Sequence, residues 1–321
     1  MKQDFWTYNK PLSMTGFGGG ATSLSNAGEG ITVGQDAYTT AGTYTWTCPA
    51  GVTSVSVVCI GAGGTVDTSY GGCAGSLAYK NNITVTPGQN YTIVVGATNT
   101  ATGSGGQYLA SNSRGGNSSA FGTVAEGGMG GSSHSYRWSQ HSNPSPLPIG
   151  TNYDGGGSGG LGGTDYYSGS TGYVSGGGGG AGGYSGDGGK GTYGSSGGYS
   201  GSGGGGGGGG AYSGGGGRSA GGGGTGIFGQ GSNGSGGQWS STQSATKGGG
   251  GSGGGDGRPA PTTGSTASAD QAYGGQYGGA GGYHYHNVST TPIDTAAQNG
   301  AVRIIYPGTD RQFPSTRTAD E

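Results

Sequence analysis

One feature constrains this chain more than any other: 91 of its 321 residues are glycine, and most fall between about Gly115 and Gly282. The densest run is unbroken from Gly203 to Gly210. Glycine loses more backbone freedom on folding than any other residue, at roughly 1–2 kcal/mol per residue. Such a field ordinarily reads as linker or disorder. If it orders, side-chain packing cannot offset the cost, because glycine has no side chain. What remains is lateral backbone hydrogen bonding between closely approaching segments, helped by scattered aromatics. No strict Gly-X-Y period is present, which excludes collagen. The sequence therefore predicts short polyproline-II-like segments laid side by side, a polyglycine-II field in which a Cβ would clash.

The tyrosines from Tyr166 to Tyr283, with Trp239, punctuate this field. They are expected to edge the lattice with wet hydroxyls, or to form an exposed aromatic surface for sugar or protein.

The rest of the chain can build only a small core. Hydrophobic residues make up 28% and charged residues 8%, enough for about 80–100 residues of conventional packing. A net charge of −2 gives no electrostatic footprint for nucleic acid and no basic face for a membrane. No apolar run approaches the roughly 20 residues of a membrane-spanning helix, and no secretory signal is visible at Met1–Thr7. The cysteines, Cys48, Cys59 and Cys73, are odd in number and fit a reduced assembly compartment. They read as small buried hydrophobes.

Taken in order, residues 1–40 form a docking arm whose Phe5 and Trp6 need a surface to cover them. Period-two alternation begins near Ala41: Tyr44 and Trp46 share a face, Val55, Val57 and Cys59 share another, and 83–95 reads as a hairpin around Pro87-Gly88. Residues 300–308 form one more apolar strand, which pairs with the early ones. The expected architecture is all-β with essentially no α-helix. A small β-sandwich or jelly-roll-like domain (41–110 plus 295–308) carries a glycine-rich insertion (111–294), and a tail (309–321) offers Phe313 as an anchor. Three breaks in the field, at 134–149, 239–247 and 257–270, are where specificity would reside. The residues singled out are His134, Tyr136, Arg137, Trp138 and Trp239.

Three stretches carry a resemblance: YTWTCPAGVTSVSVVCIGAGG (44–64), LAYKNNITVTPGQNYTIVVGA (77–97) and NGAVRIIYPGTDRQFPST (299–316). They are similar to the glycine-rich domain family of bacteriophage virion proteins. The opening SMTGFGGGATSLSNAG (13–28) resembles structural proteins of tailed phages, especially those of marine cyanobacteria. In composition the field is similar to the distal adhesins of T-even-type phages. The resemblance implies a virion protein of the tail or tail fibre, assembled in the host cytoplasm, that helps attach the particle to the host. Its partners would be other virion proteins, docked through Phe5, Trp6 and Phe313, and a host surface glycan or outer-membrane protein. A homotrimer is the favoured assembly. The alternative is a purely architectural neck, collar, baseplate or capsid decoration protein; a cell-surface or ice-binding glycine-rich protein is the third reading.

No enzyme and no cofactor are expected. Gly-x-Gly-x-x-Gly recurs, but never between a strand and a helix with an acidic partner. Asp154, Asp165, Asp187 and Asp256 read as isolated turn residues. His284 and His286 would project to one side of a strand, and around a threefold axis three such pairs would converge, as similar pairs that bind iron do in phage fibre tips. The plain alternative is two exposed loop histidines.

Overall fold

The computed structural model describes residues 32–66, 70–98, 114–131, 147–164, 166–168, 172–174, 176–193, 196–212, 218–240, 245–259, 272–282 and 297–315. The chain is all-β, with no helix among these residues. One five-stranded antiparallel sheet has the order β1 (Gly34–Tyr38), β14 (Ala301–Tyr306), β3 (Ser54–Ile60), β4 (Leu77–Thr84), β9 (Gly155–Gly157). The other runs β2 (Gly42–Thr47), β5 (Asn90–Val95), β6 (Ser118–Ala120), β7 (Thr123–Ala125), β8 (Gly150–Thr151). Two small hairpins, β10–β11 (Tyr166–Ser168, Gly172–Val174) and β12–β13 (Ala211–Tyr212, Arg218–Ser219), lie in the glycine field.

The alternating strands place their apolar sides as expected. Trp46, Ile93 and Val95 from one sheet meet Val55, Val57, Cys59, Val302 and Ile304 from the other in a single core. Each fully buried Val or Ile among them contributes roughly 1.5–3 kcal/mol. Trp46 also ties the sheets together, donating its Nε1–H to Asp36 Oδ2 on β1 at 2.8 Å. The late strand β14 pairs with both β1 and β3, so the two ends of the described chain lie in one sheet. All three cysteines are buried and free. Burial pushes the Cys59 thiol up to about 12 and the Cys73 thiol up to about 11.

Three expectations need correction. The N-terminal arm does not extend to residue 40, because Gly34–Tyr38 is an edge strand of the body. The body also takes in short strands from 118 to 157, which the sequence assigns to the insertion. And 83–95 is not a hairpin: its turn forms, with Gln89 N–H on Thr86 O at 3.0 Å and Gly88 at φ +78°, but β4 and β5 go to different sheets. The turn carries the chain over the edge of the core.

The glycine field is a lattice, and its hydrogen bonds reveal its helical type. In residues 178–183, successive N–H groups point to three neighbours in rotation. Gly178 and Ala181 donate to Ala220 and Gly223; Gly179 and Gly182 to Gly72 and Gly75; Gly180 and Gly183 to Gly189 and Gly186. The same three-residue rotation recurs in 71–76: Gly71 and Ala74 donate to Gly163 and Gly160, Gly72 and Gly75 to Gly281 and Gly278, Cys73 and Ser76 to Met129 and Glu126. A period of three with no internal bonds is the signature of a polyproline-II helix. The carbonyls of the 176–183 rod accept from Gly160 and Gly163, from Gly206 and Gly209, and from Ala280. That rod thus has six bonded neighbours: 71–76, 157–164, 186–192, 205–210, 219–226 and 278–282. A Cβ built on Gly180 would meet Gly206 C and Gly207 C at 2.5 and 2.7 Å, so glycine is required by contact and not merely tolerated.

Rods and strands are continuous. β3 runs into 61–64, 71–76 runs into β4, 114–117 into β6, β7 into 126–131, and 297–300 into β14. Where rods turn back beside the sheet, the turns are tight. Gly203-Gly204 (φ +53°, +82°) and Ser252-Gly253 (φ +49°, +77°) have the left-handed pair of a type I′ turn. A second apolar cluster seals this near end: Val58, Ile60, Leu77, Ala301 and Ile305 on the sheet's outer face meet Tyr184, Ile227 and Phe313. Arg303, fully buried on the same face, donates to Gln35 Oε1 and to Ile227 O and lies 4.7 Å from the Phe228 ring centre.

Candidate functional site at the far end and flank of the lattice

The lattice has two unlike ends. The near end lies against the sheet and is closed by short turns. At the far end a chain of contacts links residues of one level: Tyr70 bridges Thr164, Gly178 donates to Ala220, Ala220 to Gly210, Gly210 to Thr246, Gly221 to Arg258, Arg258 to Tyr273, and Gly282 to Ala272. Residues 213–217, 241–244 and 260–271 are each flanked on both sides by this level, and 132–146 and 283–296 depart from it. The roots of 132–146 are held firmly. Gly131 N–H donates to Thr65 O at 3.0 Å, and on the other side Leu147 is buried with Cys73 and Leu161. Ser158 Oγ and Ser76 Oγ donate to the Leu147 and Pro148 carbonyls at 2.5 and 2.9 Å.

His134, Tyr136, Arg137 and Trp138 lie outside the described residues, as do Phe5, Trp6, His284 and His286. Among the described residues no three His, Cys, Asp or Glu are grouped as a metal site would be. Trp239 is half-buried, and its Nε1 is buried with no hydrogen-bond partner among the described residues.

Phe313 is a correction. It is 3% exposed, stacked on Tyr184 with ring centres 5.9 Å apart. Asn81 clamps its backbone from both sides, Nδ2–H to Phe313 O at 2.7 Å and Oδ1 from Phe313 N–H at 2.9 Å. An aromatic sealed in its own chain is not free to dock into a neighbour. Tyr184 departs from expectation in the same way. It is fully buried rather than wet, donating to Gly226 O and accepting from Gly229 N–H, both at 3.1 Å, and burial holds its phenol far above the usual range.

The described aspartates of the field are tied to backbone, two in the lattice and one on β4; Asp165 lies outside the described residues. Asp187 Oδ1 accepts from Ser158 N–H at 2.8 Å. Asp154 accepts from Asn81 N–H at 2.8 Å and lies 3.8 Å from Lys80 Nζ. Asp256 accepts from Gly250 N–H and pairs with Lys247, each at 2.8 Å. The hydrogen bond from Lys247, then that from Gly250, hold its carboxyl below the usual range.

On the lattice flank, rods 254–258 and 272–276 and the chain at Gln298 enclose a depression of about 400 Å³. Asp256, Arg258, Tyr273, Gln276 and Gln298 line it, over the backbone of Gly255 and Gly274. The Arg258 guanidinium lies 5.0 Å from the Tyr273 ring centre, a cation–π distance. Sequence reading places Arg258 in a break of the field but cannot bring Gln298 beside it, because rods of bare glycine encode no visible partner.

No protein-family model matches the chain, and no curated protein matches it. The likeness to phage glycine-rich domains therefore rests on the strand motifs quoted above.

Proposed function

We propose that the protein is a structural component of a tailed-phage virion, in the tail or a tail fibre, and that it contributes to host attachment. The observation that carries this reading is the polarity of the lattice. One end is closed by minimal turns on a β body. The other is the level from which five connections depart, two of them aromatic-bearing: 132–146 with Tyr136 and Trp138, and 283–296 with Tyr283 and Tyr285. A lattice whose rods are bonded on up to six sides gives those connections fixed roots, so that binding through them costs less ordering entropy. Repetition on a particle then multiplies weak single contacts. Attachment in this reading is passive recognition, with no bond made or broken.

The test is saturable binding of fluorescently tagged protein to a panel of marine cyanobacterial strains, alongside a folded double variant Tyr136→Ala, Trp138→Ala. Binding by the wild type that the variant loses supports attachment through 132–146. Absence of binding to every strain, together with labelling of the protein at the neck or capsid of a particle, replaces attachment with the architectural role.

A further inference from the structure

The depression on the lattice flank brings a guanidinium, an aromatic ring and two carboxamides together over glycine backbone. We propose that it binds an acidic sugar residue, a uronic- or sialic-type unit of a surface polysaccharide, with Arg258 reading the carboxylate and Gln276 and Gln298 reading adjacent hydroxyls. The inference rests on the attachment reading for its biological setting, but the site stands on its own geometry.

Charge comes first. Asp256, the only carboxylate lining the depression, is already neutralised by Lys247. Arg258 has no ion pair among the described residues and is held against Tyr273. The surplus charge is thus positive and belongs to a planar fork, the group best suited to bidentate recognition of a carboxylate. Next come the amides. The carboxamides of Gln276 and Gln298 have no hydrogen-bond partner among the described residues, and each offers a donor and an acceptor, the complement of neighbouring hydroxyls on a pyranose.

Size and rigidity agree. A volume of about 400 Å³ lies at the small end of ligand sites, about 300–1,000 Å³, and suits one sugar ring with its water. The backbone beneath is fixed. Arg258 N–H donates to Tyr273 O at 2.8 Å and Arg258 O accepts from Gly221 N–H at 3.0 Å, while Gln298 donates to Gly279 O at 3.0 Å and accepts from Gly63 N–H at 2.9 Å. Only side-chain rotamers remain to be ordered on binding.

Titration calorimetry and saturation-transfer NMR on the full chain would use trigalacturonate, its carboxyl-reduced counterpart, maltotriose and inorganic phosphate as probes. Trigalacturonate is expected to bind saturably, and Arg258→Ala to weaken it by about tenfold or more, the loss of a charge-assisted bidentate contact. Gln276→Ala should weaken both the acidic and the carboxyl-reduced sugar. Because Arg258 and Gln276 are exposed, both variants should unfold at the wild-type urea midpoint. Equal affinity for acidic and reduced sugars, phosphate binding as tight as trigalacturonate, an Arg258→Ala variant with full affinity, or no saturable binding would each overturn the proposal. Cell binding that ignores Arg258→Ala and acidic sugars leaves attachment standing without this site. Sugar binding without cell binding leaves the site standing without attachment.

Discussion

Replacing Gly180 with alanine should be far more damaging than its single methyl suggests. The new Cβ would stand 2.5 Å from Gly206 C and 2.7 Å from Gly207 C, where carbon atoms rest at about 3.5–4.0 Å. The 205–210 rod would have to retreat by about 1 Å to restore that spacing. It is tied to the 176–183 rod by Gly206 N–H to Ala181 O at 2.9 Å and Gly209 N–H to Gly178 O at 2.8 Å. The retreat stretches both beyond the roughly 3.2 Å limit of a sound N–H···O bond. Two buried donors left without partners cost roughly 1–3 kcal/mol each. The lower entropy of an unfolded chain with alanine returns about 0.4–1 kcal/mol. The net expectation is a loss of about 1–6 kcal/mol, centred near 3. Two controls isolate the cause. Gly231 is exposed, and its added Cβ meets Ser252 Cα at 3.0 Å and other Ser252 atoms only at 3.5 and 3.8 Å, so Gly231→Ala asks a shift of only about 0.5 Å and should cost clearly less than Gly180→Ala. Gly253 has open space around its Cβ but φ +77°, so Gly253→Ala should cost only the left-handed strain, about 1–2 kcal/mol. Urea unfolding by tryptophan fluorescence, with amide exchange resolved by rod, reads all three. If Gly180→Ala falls within about 1 kcal/mol of Gly231→Ala, or leaves exchange at Gly206 and Gly209 unchanged, the lattice does not need glycine for the reason given.

Phe313→Ala should cost about 3–5 kcal/mol as a buried aromatic truncation, measured on the isolated chain. An isolated variant as stable as the wild type would return Phe313 to the role of a docking group. Asp36 offers a pH test. Burial, the largest influence, raises its carboxyl above the ordinary value despite the hydrogen bond from Trp46. With the folded pKa above the unfolded one, its ionisation opposes folding at neutral pH, and that penalty fades as pH falls through the raised value toward 3.8. Asp36→Asn, whose amide oxygen can still accept from Trp46 Nε1, should equal or exceed the wild type at pH 7. The difference between the two should shrink as acid is added, and a difference that grows instead would reverse the assignment.

How legible this fold is in the sequence depends on whether side chains carry the information. Trp46, Val55, Val57 and Ile304 alternate, and the strands that they predict are present. β1 is invisible because Gly-Gln-Asp-Ala-Tyr lacks the pattern; it is recruited by β14, whose Arg303 bonds to Gln35. The strands from 118 to 157 are two or three residues long and rich in Ser, Ala and Gly, too short for periodicity to register. The turn at Thr86–Gln89 is legible as a turn, but its sequence says nothing about whether the strands it joins share a sheet. The lattice is legible in kind, since a glycine field without a collagen period leaves little else, yet not in its neighbours. Register there is inherited from the strands that feed the rods. The flank depression follows from that register, which is why Gln298 enters the candidate site only once the rods are placed.

The continuity of rods with strands bears on how such a gene can change. Within the rods, every frame shift of one or two residues rotates the bonding pattern onto the wrong neighbours, whereas a whole turn of three restores it. Length variation in the rods should therefore come in triplets of residues, and single substitutions there should be purged. At the far end no such arithmetic applies. Stretches of any length and composition can be exchanged between fixed stems, much as cassettes are swapped in a socket, and the β body need not record the exchange.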